Sequence, residues 1–125
     1  MKQHEVWLIK AENDLKSARR LSESSDPILD TAIYHTQQSA EKALKAYLAF
    51  KAQPIRKVHD IELLLESCSV FDKDFNQFVD DADILTPYNV AFRYPGPDIE
   101  PHGEEVADAI EKAEKILAFV KSRIK

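Results

Sequence analysis

The sequence predicts an all-α fold: an up-and-down antiparallel bundle of four long helices plus one short helix, forming a single domain over residues 1–125. Three observations lead there. Glycine occurs only twice, which leaves few sites for tight β-turns. Hydrophobic residues make up 44% of the chain and charged residues 31%, a balance suited to helices with one wet face. Apolar residues recur at helical spacing along most of the chain, and strict alternation is rare.

The helices follow in order. From about Glu5 to Ser22, Leu8, Ala11, Leu15, Ala18 and Leu21 form an apolar stripe that Val6 and Trp7 widen. The run SESSDP ends this first helix, and so short a connection implies an antiparallel hairpin. The second helix, about Ile28 to Lys51, is the rod around which the others are organised. Leu29, Ala32, Ile33, Ala40, Ala43, Leu44, Tyr47 and Leu48 recur over six turns, interrupted by Thr36. Asp26 and Pro27 mark its start and Gln53-Pro54 its end. Gln38, Glu41, Lys42 and Lys45 lie on the opposite side and read as a solvated face.

After the linker PIRKVH, Asp60 caps a short third helix carrying Ile61, Leu64, Leu65 and Cys68 on its inner side. The fourth helix, starting near Asp72 or Asp74, should bury Phe75, Phe78, Val79, Ala82 and Leu85 until Pro87 interrupts it. RYPGPDIEP cannot be helical. The last helix, about Gly103 to Ile124, has the cleanest period. Glu104 and Glu105 in its first turn and Lys121, Arg123 and Lys125 in its last complement its dipole.

Composition bounds function. The formal net charge of −5 excludes a chain that coats nucleic acid through charge alone, so any basic site is local. A lone cysteine, Cys68, cannot form an internal disulfide and reads as core. No segment reaches the roughly 18 apolar residues of a membrane span, and no signal-peptide core is present, so the expected location is cytoplasmic. HxxxH and CxxC motifs, glycine-rich phosphate loops and nucleophile elbows are all missing, and neither a metal nor another cofactor is expected. Aromatic residues Trp7, Tyr34, Tyr47, Phe50 and Phe119 exceed what narrow stripes can hide, which points to a homodimer.

If the helices alternate strictly, the N-termini of helices 1, 3 and 5 share one pole with the linkers holding Arg56, Lys57 and His59 and holding Arg93, Tyr94 and His102. Converging helix N-termini and cations suit a phosphate. Each residue also has a local reading. His59 can bond at a helix start, Arg93 can bond the carbonyls that end helix 4 or pair with a carboxylate, and His102 can be a solvated loop residue.

In this order and spacing, AENDLKSARRL, YHTQQSAEKALKAYL, VHDIELLL, FRYP and EEVADAIEKAEKILAFV make the chain resemble the HEPN domain family over nearly its whole length. The resemblance implies a helical bundle that dimerises and binds a nucleotide or nucleic-acid phosphate. It also implies work beside a separately encoded minimal nucleotidyltransferase, in some cases as a toxin-antitoxin pair. Its site residues would be Arg93 and Tyr94 of the RYP motif and His59 opening helix 3, with Arg56 and Lys57 adjacent. Other members are metal-independent ribonuclease toxins with an Arg followed by a His after four to six intervening residues. Here Arg93 and His102 have eight residues between them and Arg56 and His59 have two. That departure argues against catalysis; were the chain a ribonuclease, Arg93 and His102 would be its catalytic candidates. A ligand-free assembly module is the remaining alternative.

Overall fold

The computed structural model describes residues 1–124 and contains five α-helices: α1 (Gln3–Glu23), α2 (Leu29–Phe50), α3 (Ile61–Ser69), α4 (Val79–Leu85) and α5 (Gly103–Arg123). Two 3₁₀ turns, Lys73–Phe78 and Thr86–Asn89, flank α4, and no strand occurs among the described residues. Lys125, expected to help close the last helix, lies outside the described residues. The all-α antiparallel bundle is as expected, with α2 at its centre touching α1, α3, α5 and the second 3₁₀ turn. Its Ile33 and Leu44 are fully buried together with Leu64, Phe75, Leu85 and Ile116. Phe75 rests between Tyr47 and Phe119, with ring centroids 4.6 and 4.9 Å away.

The helix ends obey local chemistry, with differences from expectation. Asp60 caps α3 by accepting from the amides of Glu62 and Leu63. Asp26 does not cap α2, because the helix begins only at Leu29 and Ile28 holds the cap position; the Asp26 amide instead donates to Ser24 Oγ at 3.1 Å within the turn. At its other end α2 stops before Pro54 is reached. Ala52 takes a left-handed φ of 55°, and the amides of Ala52 and Gln53 bond back to the carbonyls of Ala49 and Leu48. This is a Schellman closure with alanine where glycine is the usual residue.

Three long helices are present, of 21, 22 and 21 residues, where four were expected. The fourth is interrupted because Asp72 accepts from the Asp74 amide and starts a 3₁₀ turn, whose period of three residues shifts the phase of the inner face. Phe75, Phe78, Ala82 and Leu85 are buried as expected, but Val79 is left 51% exposed.

The chain also does not alternate strictly. Linker 51–60 runs back along α2, so that the His59 carbonyl meets Gln37 in the middle of that helix. From there α3 runs parallel to α2 and brings Cys68 to the Leu44 carbonyl, 3.6 Å from Sγ. α5 lies antiparallel to α1, as the ion pairs Glu12–Lys121 and Arg19–Glu114 show. The start of α5 therefore shares a pole with the end of α1 and the start of α2, where Gly103, Ser22 and Leu29 border one hollow. The expected single pole for the N-termini of helices 1, 3 and 5 does not exist.

The aromatic residues expected to exceed the core are largely accommodated within the chain. Tyr47 is buried, Phe119 packs edge-on against Phe75 and Phe78, Trp7 lies beneath Lys45, and Phe50 meets the ring of His4. No helix among the described residues is long and apolar enough to cross a membrane.

Candidate functional site

The best-organised polar hollow lies where the first two turns of α2 meet the chain following the second 3₁₀ turn. Asp30, Thr31, Tyr34 and His35 line one wall, Arg93 forms the other, and the hollow, open to solvent, has a volume of about 290 Å³. Local geometry explains how Arg93 reaches it. The amides of Val90 and Ala91 both donate to the Pro87 carbonyl, and the Arg93 amide donates to the Val90 carbonyl at 3.2 Å. Between them Phe92 adopts φ 66°, a left-handed conformation that is costly for a bulky residue. Its ring is held by the core and stacks on Tyr88, 6.5 Å between centroids. Tyr88 in turn donates to Glu105 of α5 at 2.8 Å, and its hydroxyl pKa is raised by burial and by that carboxylate. Strain in one backbone position is thus sustained by contacts on both sides, and it turns Arg93 toward α2.

The Arg93 guanidinium lies over the Tyr34 ring, 4.3 Å from its centroid, and 5.7 Å from that of Tyr94. Nη1 donates to the Asn89 carbonyl at 3.2 Å, so the anticipated bond to a carbonyl ending this segment is there. That bond uses one of five guanidinium N–H donors, and Arg93 remains exposed. Tyr94 is 65% exposed beside it.

His35 is fixed from behind. Asp14 of α1 accepts from His35 Nδ1 at 2.8 Å on one carboxylate oxygen and from Lys42 Nζ at 2.7 Å on the other. Burial would raise the Asp14 pKa, but the hydrogen bonds from His35 and Lys42 and their charges outweigh burial and hold it below the usual carboxylate value. An ionised carboxylate only accepts, so His35 carries a proton on Nδ1, and Nε2 is the nitrogen left for other partners.

A second polar cluster is structural. Glu41, expected on a solvated face, is buried together with Gln38 and Lys45 because α2 is covered on that side by α1 and by the returning linker. Its carboxylate accepts from Gln37 at 3.2 Å, His59 Nδ1 at 3.0 Å and Lys45 at 3.0 Å. Gln38 donates to Gln37 at 2.7 Å, and Ser39 donates to the Ala11 carbonyl at 2.9 Å. Every buried side-chain nitrogen and oxygen among the described residues has a partner. The QQSAEK run is therefore a polar seam within the bundle.

Of the residues singled out from the sequence, Arg93 alone lines the hollow, and Tyr94 is beside it. His59 is spent on Glu41, with its ring largely exposed. Arg56 borders a different hollow of about 340 Å³ near Pro54 and Phe71, and Lys57 is exposed in the linker. His102 precedes α5 with its carbonyl bonded to the Val106 amide, and it does not line the Arg93 hollow. Among the described residues no group of three or more His, Cys, Asp and Glu could hold a metal ion. Sequence reasoning missed Asp14, Asp30, Tyr34 and His35. Asp14 carried a signal: it falls three residues after Ala11 and four before Ala18 on the inner stripe, where a carboxylate requires partners.

Comparison with known proteins agrees with this architecture. The HEPN domain model matches residues 4–123. The crystal structure of TT1696 from Thermus thermophilus is similar with a TM-score of 0.83 at 27% identity, covering 98% of each chain. ST0689, described as an archaeal HEPN homologue, is similar with a TM-score of 0.77 at 29% identity over 100% of both chains. No curated protein matches. A family match spanning nearly the whole chain, together with two full-length structural likenesses, means that this protein belongs to the HEPN domain family.

Proposed function

We propose that the protein is a non-catalytic HEPN module that binds the phosphate of a nucleotide or nucleic acid at Arg93. The observation behind this reading is the guanidinium 4.3 Å over Tyr34, held at the edge of a hollow with most of its donors free. Such a planar, preorganised cation loses little entropy on meeting a phosphate and can engage it with two parallel N–H bonds. In keeping with the family resemblance, the module works as a homodimer beside a separately encoded minimal nucleotidyltransferase, as part of a toxin-antitoxin pair. Exposed apolar residues such as Val6 and Ile9 of α1, Val79 and Ile84 of α4, and Val70 and Phe71 after α3 are available for such contacts. Titration calorimetry with nucleoside monophosphates and a short RNA tests the binding reading. Heat of binding that disappears in Arg93→Ala supports it, and binding unchanged by that substitution overturns it. Sedimentation at micromolar concentration tests the dimer.

Ribonuclease activity is the less favoured reading, because His102 does not line the hollow with Arg93. Purified protein incubated with RNA without metal should leave it intact. Robust cleavage abolished by His102→Ala would reverse the order of the two readings.

A further inference from the structure

We propose that the hollow beside the linker after α2 docks an acidic segment of a partner protein. The segment sets one apolar side chain against Leu48, Pro54, Val70 and Phe71, and its carboxylates against Arg56 and Lys57. This surface is separate from the Arg93 hollow, and the proposal does not depend on the phosphate-binding reading. The hollow is open to solvent, has a volume of about 340 Å³, and is walled by the end of α2, the linker and the end of α3. Val70 is 80% exposed and Phe71 43%, at consecutive positions where α3 has just ended. Two large apolar side chains in water beside a concave surface are what one apolar anchor from a partner would cover.

Charge says what accompanies that anchor. The chain has a formal net charge of −5, yet the border of this hollow is cationic. Arg56 lines it, Lys57 follows in the exposed linker, and Lys51 lies over the Phe71 ring, 5.9 Å from its centroid. None of the three belongs to an ion pair among the described residues. A local positive field in an acidic chain, left without carboxylates of its own, draws those of a partner. A phosphate backbone would satisfy the cations but offers no aliphatic group for the hollow, whereas Asp or Glu beside Leu or Ile offers both.

The linker itself is drawn out. The Gln53 amide donates to the Leu48 carbonyl at 2.9 Å, and the His59 carbonyl accepts from Gln37 at 2.7 Å. Leu48 and Gln37 are roughly 16 Å apart along α2, out of the ~20 Å that the linker between those two anchors can span. Among the described residues no hydrogen bond uses the backbone of Ile55, Arg56, Lys57 or Val58. Their amides and carbonyls remain open to an extended segment lying alongside.

Selection of a displayed random-peptide library on the wild-type protein, followed by fluorescence anisotropy with the enriched peptides, tests the proposal. Enriched peptides should carry Asp or Glu flanking a large apolar residue. Their affinity should fall ~10-fold or more in Arg56→Glu and in Val70→Asp, both exposed positions whose variants are checked by thermal melts. The double variant Arg56→Glu, Lys57→Glu should instead bind the same peptide with its acids replaced by lysine, which a merely structural role would not produce. Failure to enrich any peptide, or affinity unchanged by both single substitutions, overturns the proposal. A labelled short RNA that binds wild type in competition with the peptide and is lost in Arg56→Glu overturns it in favour of nucleic acid. A change from dimer to monomer on sedimentation of Val70→Asp also overturns it, making a second copy of this chain the occupant.

Discussion

Glu41 Oε2 and Lys45 Nζ lie 3.0 Å apart inside the bundle, with the two side chains only 4% and 7% exposed. A buried pair of this kind contributes little over an apolar replacement, but removing one partner strands the other charge away from water. Glu41→Ala should therefore destabilise the fold by about 3 kcal/mol in urea unfolding. Adding Lys45→Met to that variant should recover part of the loss. A cost for Glu41→Ala below about 1 kcal/mol would place the carboxylate in solvent after all.

Asp14 should give the stability curve an acid limb. Its folded carboxyl is held below the ordinary value, so as pH falls the unfolded chain takes up the proton first. The contribution is complete above the unfolded value of about 4 and disappears as pH drops through the lower folded value. Asp14→Asn is expected to cost about 2 kcal/mol at neutral pH, with the gap to wild type closing below pH of about 4. Thermal melts from neutral to strongly acidic buffer show whether the gap closes; a constant gap would contradict the assignment.

Glu62 behaves in the opposite sense. Asp83 faces it and raises its pKa, with partial desolvation and the charges of Asp83, Asp60 and Glu66 adding to the effect. An acid whose folded pKa is raised destabilises the fold when ionised, and the penalty is relieved as pH falls through that value. Glu62→Gln should raise Tm at neutral pH and give no gain in acid. A lower Tm at neutral pH would show that Glu62 is favourably paired.

Ala52 closes α2 from a left-handed conformation, where a Cβ is unfavourable. Ala52→Gly is expected to stabilise the protein by about 1 kcal/mol, because native strain is removed at a position outside the core. Equilibrium unfolding measures it. Destabilisation would mean that the added freedom of the unfolded chain outweighs the relief.

Arg93 has a structural contact and an open face, and substitution separates them. Arg93→Ala loses the stack on Tyr34 and the bond to Asn89, and should cost about 1 kcal/mol of stability together with binding. Arg93→Lys keeps the charge without the planar fork, so nucleotide affinity should still fall, by about tenfold. If Arg93→Lys lowers Tm and leaves affinity intact, Arg93 belongs to the scaffold alone.

Periodicity was enough to read α1, α2 and α5 as helices, because Leu, Ile, Val and Ala recur at helical spacing along each, even where Asp14 and Thr36 interrupt the buried side. It failed for the segment after Asp72, where a 3₁₀ turn resets the inner face and leaves Val79 in water. It failed also for Glu41 and Lys45, whose i, i+4 spacing describes a solvated face and a buried pair equally well. The motif drew attention to Arg93, which the structure brings to the hollow, and to Tyr94 beside it. His35 was not readable, since its role depends on Asp14, 21 residues earlier on another helix, and the hairpin implied by the short connection does not fix which side chains meet across it.

The ion pairs that join α1 to α5 tie together segments far apart in the sequence, with Arg19 and Glu114 separated by 95 positions. During synthesis, the α1–α2 hairpin can form while α5 is still inside the ribosome, yet the side of that hairpin awaiting Val106, Ile116 and Val120 stays uncovered. A nascent chain of this protein therefore exposes a sticky hairpin until α5 emerges. Pausing or truncation before α5 should hand that hairpin to chaperones or to aggregation, whereas arrival of the helix closes it in a single step.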